Sequence, residues 1–394
     1  MFTPDPQKIL IVDDSKTNIQ TLGEALKEYN CIAATTGENA LRIAKGTKKP
    51  DLILLDIVMK GMDGYEVCKI LKEDSSTSEI PVIFITSKSD PESLVKGFGV
   101  GAVDFIAKPF HFDELRVRVS TQLKYKKSLD NNSLYLKSIE EIYDTITDSI
   151  YYAQKIQQAT LPHDRYLNQV LKEYFVFYKP RDIVSGDFYF VNKIGNKLLL
   201  IAADCTGHGV PGALMSMMSM AFINEIINLE NKYEPHEILN QLRTNITSAF
   251  NSDGNEDISD GLDASIVLID PNNDCMDFAG ANRPIYLVRN HELIEFKGDR
   301  MPVGLYPSQK PFTKQRIKLS EGDCIYMFSD GFADQFGGAD NRKMMLGNFK
   351  QALSSNSFFH MKEQKKLLSE YFYEWMGHNE QLDDVLLLGY RYLK

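Results

Sequence analysis

Between Lys8 and Pro109, short apolar runs repeatedly end in a charged or hydroxyl side chain. Lys8-Ile-Leu-Ile-Val-Asp13-Asp14 ends in paired acids, Leu52-Ile-Leu-Leu-Asp56 in one acid, Val82-Ile-Phe-Ile-Thr86 in a hydroxyl, and Phe105-Ile-Ala-Lys108-Pro109 in a cation. Apolar strands that alternate with amphipathic segments such as Thr17–Tyr29 and Glu38–Lys45 imply an α/β, doubly wound parallel sheet. In that architecture the carboxyl ends of the strands converge on one crevice. Three carboxylates, a hydroxyl and a lysine gathered there can bind a divalent cation and receive a phosphoryl group, with Asp56 as the nucleophile.

This constellation resembles the receiver domain of two-component response regulators, over roughly residues 6–125. The resemblance implies a flavodoxin-like domain at 1–125 with strand order 2-1-3-4-5 and a cognate histidine kinase as phosphodonor. Carried over residue by residue, it makes Asp56 the phosphoacceptor and places Mg2+ on Asp13, Asp14 and Asp56. Thr86 and Lys108 become the groups that hold the phosphoryl oxygens, and Phe105 the aromatic switch. Lys60 departs from the family, which usually has proline after the position of Met59. That change touches the rigidity of the loop and not the chemistry.

The second half of the chain carries a different set of acids. Asp187 lies in Gly186-Asp187-Phe-Tyr, Asp204 ends Leu200-Ile-Ala-Ala-Asp204, Asp330 follows Tyr326-Met-Phe-Ser, and Asp383-Asp384 precede Val385-Leu-Leu-Leu-Gly. Clustered carboxylates stay ionised together only if a cation cancels their repulsion. All-oxygen ligation selects Mg2+ or Mn2+ over zinc. The strings GDFY, AADCTGHGVPGALMS, AGAN, FSDG and DDVLLLG, in this order, resemble bacterial metal-dependent serine/threonine phosphatases of the type 2C superfamily, stage II sporulation protein E branch. The resemblance covers roughly residues 166–394.

It implies an α+β domain at 166–394, a two-sheet β-sandwich flanked by helices. Strand-like segments fall at Tyr174–Lys179, Phe188–Lys193, Lys197–Ala203, Ala264–Asp270, Ile285–Arg289, Cys324–Phe328 and Val385–Arg391, and helical ones at Gly212–Leu229, His236–Phe250 and Glu363–Met376. By analogy Asp204 bridges two Mn2+ or Mg2+ ions with help from the Cys205 backbone carbonyl, and Asp187, Asp330 and Asp383 complete their shells directly or through waters. Water activated there attacks a phosphate monoester in line, with no covalent enzyme intermediate. His208, in Thr206-Gly-His-Gly209, is a candidate general acid, against the alternative that it shapes the turn before a helix. Asp263 reads as a strand-start acid or a ligand to a third metal. Arg181 and Arg283 have the forked donors that suit phosphate oxygens, against ordinary surface ion pairing. Ser185 and Asn282 depart from the family's usual glycine and histidine without removing a carboxylate.

Between the halves, Phe112–Leu161 has neither glycine nor proline. Ile139, Ile142, Ile146, Ile150, Ala153 and Ile156 recur at steps of three or four, one apolar stripe on a helix that stops before Pro162. A helical coiled-coil linker over 126–165, making a homodimer, would cover that stripe, and packing on the phosphatase domain is the competing reading. Ile156-Gln-Gln-Ala-Thr-Leu-Pro162 also resembles the helix that leads into the phosphatase fold.

A length of 394 residues suits two or three domains. With 44 basic against 54 acidic residues, the formal charge of −10 argues against a nucleic-acid partner, because binding a phosphate backbone needs a basic face. Cys31, Cys68, Cys205, Cys275 and Cys324 contain no CxxC pair and read as thiols within apolar elements. Met1–Pro6 has no signal-peptide character, and no apolar run reaches the roughly 20 residues of a membrane span, so the expectations are no membrane and a cytoplasmic location. The function expected is a response regulator whose aspartyl phosphorylation controls dephosphorylation of a phosphoserine or phosphothreonine protein, an anti-sigma-factor antagonist by analogy. The alternative is a silent phosphatase-fold adaptor that binds a partner under receiver control. Such an adaptor is expected to lose its metal-binding acids, which this chain keeps.

Overall fold

The computed structural model describes residues 7–87, 91–228, 233–250, 260–306 and 310–394. The Met1–Pro6 segment and Leu229, the expected last residue of a helix, lie outside them. The chain divides into two compact units, Met1–Tyr143 and Asp144–Lys394.

The first unit runs β1 (Lys8–Val12), α1 (Lys16–Ala25), β2 (Asn30–Ala34), α2 (Gly37–Ala44), β3 (Leu52–Asp56), α3 (Gly64–Glu73), β4 (Val82–Thr86), α4 (Pro91–Gly99), β5 (Asp104–Ala107) and the start of α5 (Phe112–Thr160). Its strands are all parallel, in the order β2-β1-β3-β4-β5 that was expected. β3 and β4 are buried along their whole length because helices cover both faces of the sheet. Each of the first three helices has a side-chain cap at its amino end. Ser15 caps α1 and Thr36 caps α2, while Asp63 and Glu66 form a capping box on α3. Gly64 lets α3 seat against the end of β3, since a Cβ there would meet the Asp56 carbonyl oxygen at 2.3 Å.

The second unit continues with α6 (Asp164–Val170), β6 (Tyr174–Lys179), β7 (Asp187–Ile194), β8 (Lys197–Cys205), α7 (Gly209–Asn228), α8 (Pro235–Phe250), β9 (Gly261–Asp270), β10 (Cys275–Ala281), β11 (Ile285–Arg289), β12 (Glu292–Phe296), β13 (Val303–Gly304), β14 (Gln315–Lys318), β15 (Cys324–Phe328), α9 (Gly331–Asp334), β16 (Phe336–Gly337), β17 (Arg342–Lys343), α10 (Met345–Asn356), α11 (Met361–Met376) and β18 (Val385–Arg391). One sheet has the order β14-β10-β9-β8-β7 with β13 beside β9, the other β12-β11-β15-β18-β6, and both are antiparallel. Strand alternation builds the layers: Leu386 and Leu388 of β18 join Leu200 and Val267 between the sheets, while Val385 and Leu387 face Phe349 and Phe372 of α10 and α11.

Two sequence expectations need correction. The 20-residue helix α7 is long and apolar enough to cross a membrane, contrary to the reading that no run reached that length. Half of the relevant stretch is buried inside this fold, with Met215, Met220, Ile223 and Ile226 in the core, so burial against β-strands accounts for its composition. The expected strands also omitted β10, β12, β14 and the two-residue strands β13, β16 and β17. Of these, β12 and β14 are sheet edges whose solvated face interrupts the apolar pattern.

α5 forms one continuous helix. In the first unit it contributes Leu115, Val119 and Leu123 to the core. Of the stripe residues, Ile139, Ile142, Ile146 and Ile156 stand exposed at 62%, 59%, 55% and 47% among the described residues, whereas Ile150 and Ala153 are half-buried.

Candidate functional site

At the carboxyl edge of the parallel sheet, ligand oxygens of Asp13, Asp14 and Asp56 lie within 4.8 Å of one another. Asp13 is fixed by the Asn18 amide, which donates to both of its oxygens at 3.0 and 2.9 Å. Lys108 Nζ lies 2.9 Å from Asp13 Oδ2 and 3.1 Å from Asp56 Oδ2. Burial raises the Asp56 carboxyl above its usual range, and the Lys108 ammonium opposes this. Thr86 is fully buried at the end of β4. Phe105, on β5, meets the Phe98 ring edge-on at 6.0 Å and lines a small cavity with Thr86, Ile57 and Ala102. The six expected residues therefore gather at one end of one sheet. A compact all-oxygen cluster of this kind suits a hard divalent cation.

In the second unit the register places Asp187 opposite Asp204, and Asp204 opposite Asp263, across the adjacent strands β7, β8 and β9. Asp330 follows β15 and Asp383 precedes β18, the antiparallel neighbour of β15. Asp204, Asp263, Asp330, Asp383, Cys205 and His208 line one cavity of about 220 Å³. Asp187 sits deeper, 1% exposed, and accepts a 2.5 Å hydrogen bond from the Ser329 hydroxyl. Burial, and then the Asp204 charge, hold Asp187 well above the ordinary carboxylate range. Burial pushes Asp204 up to about 7; Arg283 pulls it down, while Asp330, Asp383 and Asp263 push it up. A carboxylate set under this repulsion, with oxygen donors only, fits Mg2+ or Mn2+.

Several contacts that organise the rim were not legible in the sequence. Asp384 is buried, and its two oxygens accept from the Arg181 and Gly186 amides at 2.7 Å each, so it pins the loop that delivers Asp187. Asp182 Oδ2 lies 2.9 Å from His208 Nδ1 and orients that ring at the cavity mouth. Gln157 of α5, 3% exposed, accepts from the Ser185 amide at 3.1 Å and donates to the Ser185 carbonyl at 2.5 Å and to Ser216 Oγ at 2.8 Å. Asp263 is a strand residue that accepts from the Asn282 amide at 2.8 Å. Arg283, read as an ion-pairing surface group or a phosphate binder, places Nη2 at 2.5 Å from Asp204 and 2.7 Å from Asp330, within the cavity rather than on the outer surface. Nothing but its position after the Ala-Gly-Ala-Asn string signalled this. All five cysteines are free, and all but Cys31 are buried.

Comparison with known proteins agrees with both halves. Residues 9–120 match the response regulator receiver domain family, and residues 194–393 match the stage II sporulation protein E family. The SiaA-PP2C domain of Pseudomonas aeruginosa is 32% identical in sequence, with a TM-score of 0.59 over 64% of this chain and 98% of that one. Response regulator PleD of Caulobacter vibrioides is 38% identical over 125 residues, which is 31% of this chain and 27% of PleD. Transcriptional regulatory protein YvrH of Bacillus subtilis is 36% identical over 154 residues, 38% of this chain and 61% of YvrH. The chain thus spans less than two thirds of the length of these curated relatives.

Proposed function

This chain belongs to the stage II sporulation protein E family and carries a response regulator receiver domain ahead of its PP2C-type domain; from that premise we propose that it is a phosphorylation-controlled protein phosphatase. In this reading a histidine kinase supplies the phosphoryl group to Asp56. The second unit then removes phosphate from a phosphoserine or phosphothreonine protein, with an anti-sigma-factor antagonist as the substrate class. The observation that carries the reading is the alignment of Asp187, Asp204 and Asp263 across three adjacent strands, with Asp204 and Asp263 sharing one cavity with Asp330 and Asp383 and Asp187 buried behind them.

Asp204, Asp330, Asp383, Asp187 and the Cys205 carbonyl are the groups that would hold two divalent cations, Mn2+ or Mg2+. Asp13, Asp14 and Asp56 would hold Mg2+ in the receiver. When bound, the ions supply Lewis acidity and neutralise the substrate's charge. The protein's own part is positional. Ser329 orients Asp187, and Asp384 fixes the 181–186 loop. His208, turned by Asp182, is presented at the cavity to return a proton to the departing serine or threonine oxygen. The exposed stripe on α5 is the surface through which two copies pair in the cytoplasm, and a change in that pairing carries the receiver's state to the Gln157 end of the helix.

The test is hydrolysis of a phosphoserine protein and of an aryl phosphate by the full chain with Mn2+, with and without beryllofluoride. Turnover that is lost with chelator and altered by beryllofluoride is expected. A folded, Mn2+-loaded chain that hydrolyses neither substrate would leave the adaptor reading standing instead.

A further inference from the structure

We propose that Arg283 is an internal cation that competes with the divalent metal for Asp204 and Asp330, so that loading the second unit with metal requires the guanidinium to leave the carboxylates. The inference goes beyond the phosphatase reading, since it concerns how the carboxylate rim is occupied rather than what it hydrolyses.

Arg283 lies among the carboxylates in a seat that satisfies charge better than hydrogen bonding. One nitrogen, Nη2, serves both Asp204 and Asp330, at 2.5 and 2.7 Å. Nε lies 3.6 Å from Asp263 Oδ2, too far for a hydrogen bond, and is buried without a partner among the described residues. The planar fork of arginine normally engages a carboxylate through two parallel N–H bonds, and none of the three acids is held that way. An unmade donor in a buried position is a cost that departure from the seat removes. A single positive charge also leaves the surrounding Asp204, Asp263, Asp330 and Asp383 in net negative excess, which a divalent cation cancels more fully.

Departure needs no backbone rearrangement. The turn that carries Arg283 is pinned independently: Asn282 adopts φ 53°, donates its amide N–H to the Asp299 carbonyl at 2.8 Å and its side-chain amide to Asp263 at 2.8 Å, and Pro284 follows. Only side-chain torsions have to change, and the cavity of about 220 Å³ that Arg283 itself lines offers space for them. Because metal binds only the fraction of molecules whose carboxylates are free, the apparent metal affinity is reduced by the fraction in which Arg283 is seated.

Two measurements on the full chain test this. Calorimetric titration with Mn2+ alone compares the wild type with Arg283→Met and Arg283→Ala, the receiver site contributing equally to each. About tenfold tighter binding in the second unit is expected for both variants. Phenylglyoxal labelling of the wild type, read by peptide mass at Arg283, is expected to accelerate several-fold when Mn2+ is added. Equal or weaker Mn2+ affinity in a variant with native circular dichroism overturns the proposal. Arg283 labelling that Mn2+ slows or leaves unchanged overturns it as well, and this arm decides alone if both variants fail to fold. Neither readout requires turnover, so a chain that shows the competition but hydrolyses nothing sinks the phosphatase reading and leaves this one intact.

Discussion

The Lys108 ammonium is shared between Asp13 and Asp56, 2.9 and 3.1 Å away, and so holds together two carboxylates that come from different strands. Asp56 ends β3 at the crevice, with the ligand oxygens of Asp13 and Asp14 close by. In-line attack on a small phosphodonor requires this carboxylate, so Asp56→Asn is expected to abolish Mg2+-dependent labelling by acetyl phosphate. Label that persists on the variant, or that survives hydroxylamine, would assign the phosphate to another residue.

Asp204 and Asp330 both line the cavity, Asp204 largely buried and Asp330 more open, and both contribute charge rather than apolar core volume. Asp204→Asn and Asp330→Asn are each expected to cost more than tenfold in Mn2+-dependent turnover, about 1.4 kcal/mol or more of barrier, with the far-ultraviolet circular dichroism unchanged. If both variants keep more than about a tenth of the wild-type rate, the metal mechanism lacks its ligands.

The parallel sheet was legible because buried strands read as apolar runs, and because its functional residues sit at the ends of those runs. The rim acids were legible for the same reason. What escaped is what depends on long-range register. Asp383 and Asp384 are adjacent in sequence, yet one lines the cavity and the other is buried, because the amides that claim Asp384 belong to Arg181 and Gly186, roughly two hundred residues earlier. Arg283 reaches acids 79 and 47 positions away, which no local pattern encodes. The α5 stripe was readable as a helix face, but periodicity does not say what covers it.

Gln157 should matter for stability out of proportion to its size. It is buried and makes three hydrogen bonds, to both backbone groups of Ser185 and to Ser216. Gln157→Ala leaves the Ser185 amide without that partner, which should destabilise the second unit by about 2 kcal/mol. The single tryptophan of the chain, Trp375, belongs to this unit, so its fluorescence in a urea titration isolates the relevant transition. A midpoint that does not move would show that Ser185 and Ser216 find other partners readily.

The apolar stripe carries the last prediction. Ile142 and Ile146 are 59% and 55% exposed on a helix that is continuous from Phe112 to Thr160, and neither joins the core of its unit. If two copies pair through this stripe, replacing both isoleucines with glutamine removes apolar area from the interface and no contact from either core. The doubly substituted chain should be monomeric by light scattering at concentrations where the wild type is a dimer. Each unit should remain competent, with Asp56 still labelled and basal turnover retained. Beryllofluoride should no longer change the rate, because the state of the receiver would have no paired helix through which to act. A monomeric variant whose turnover still responds fully to beryllofluoride would exclude signalling through paired linkers and place the coupling within one chain.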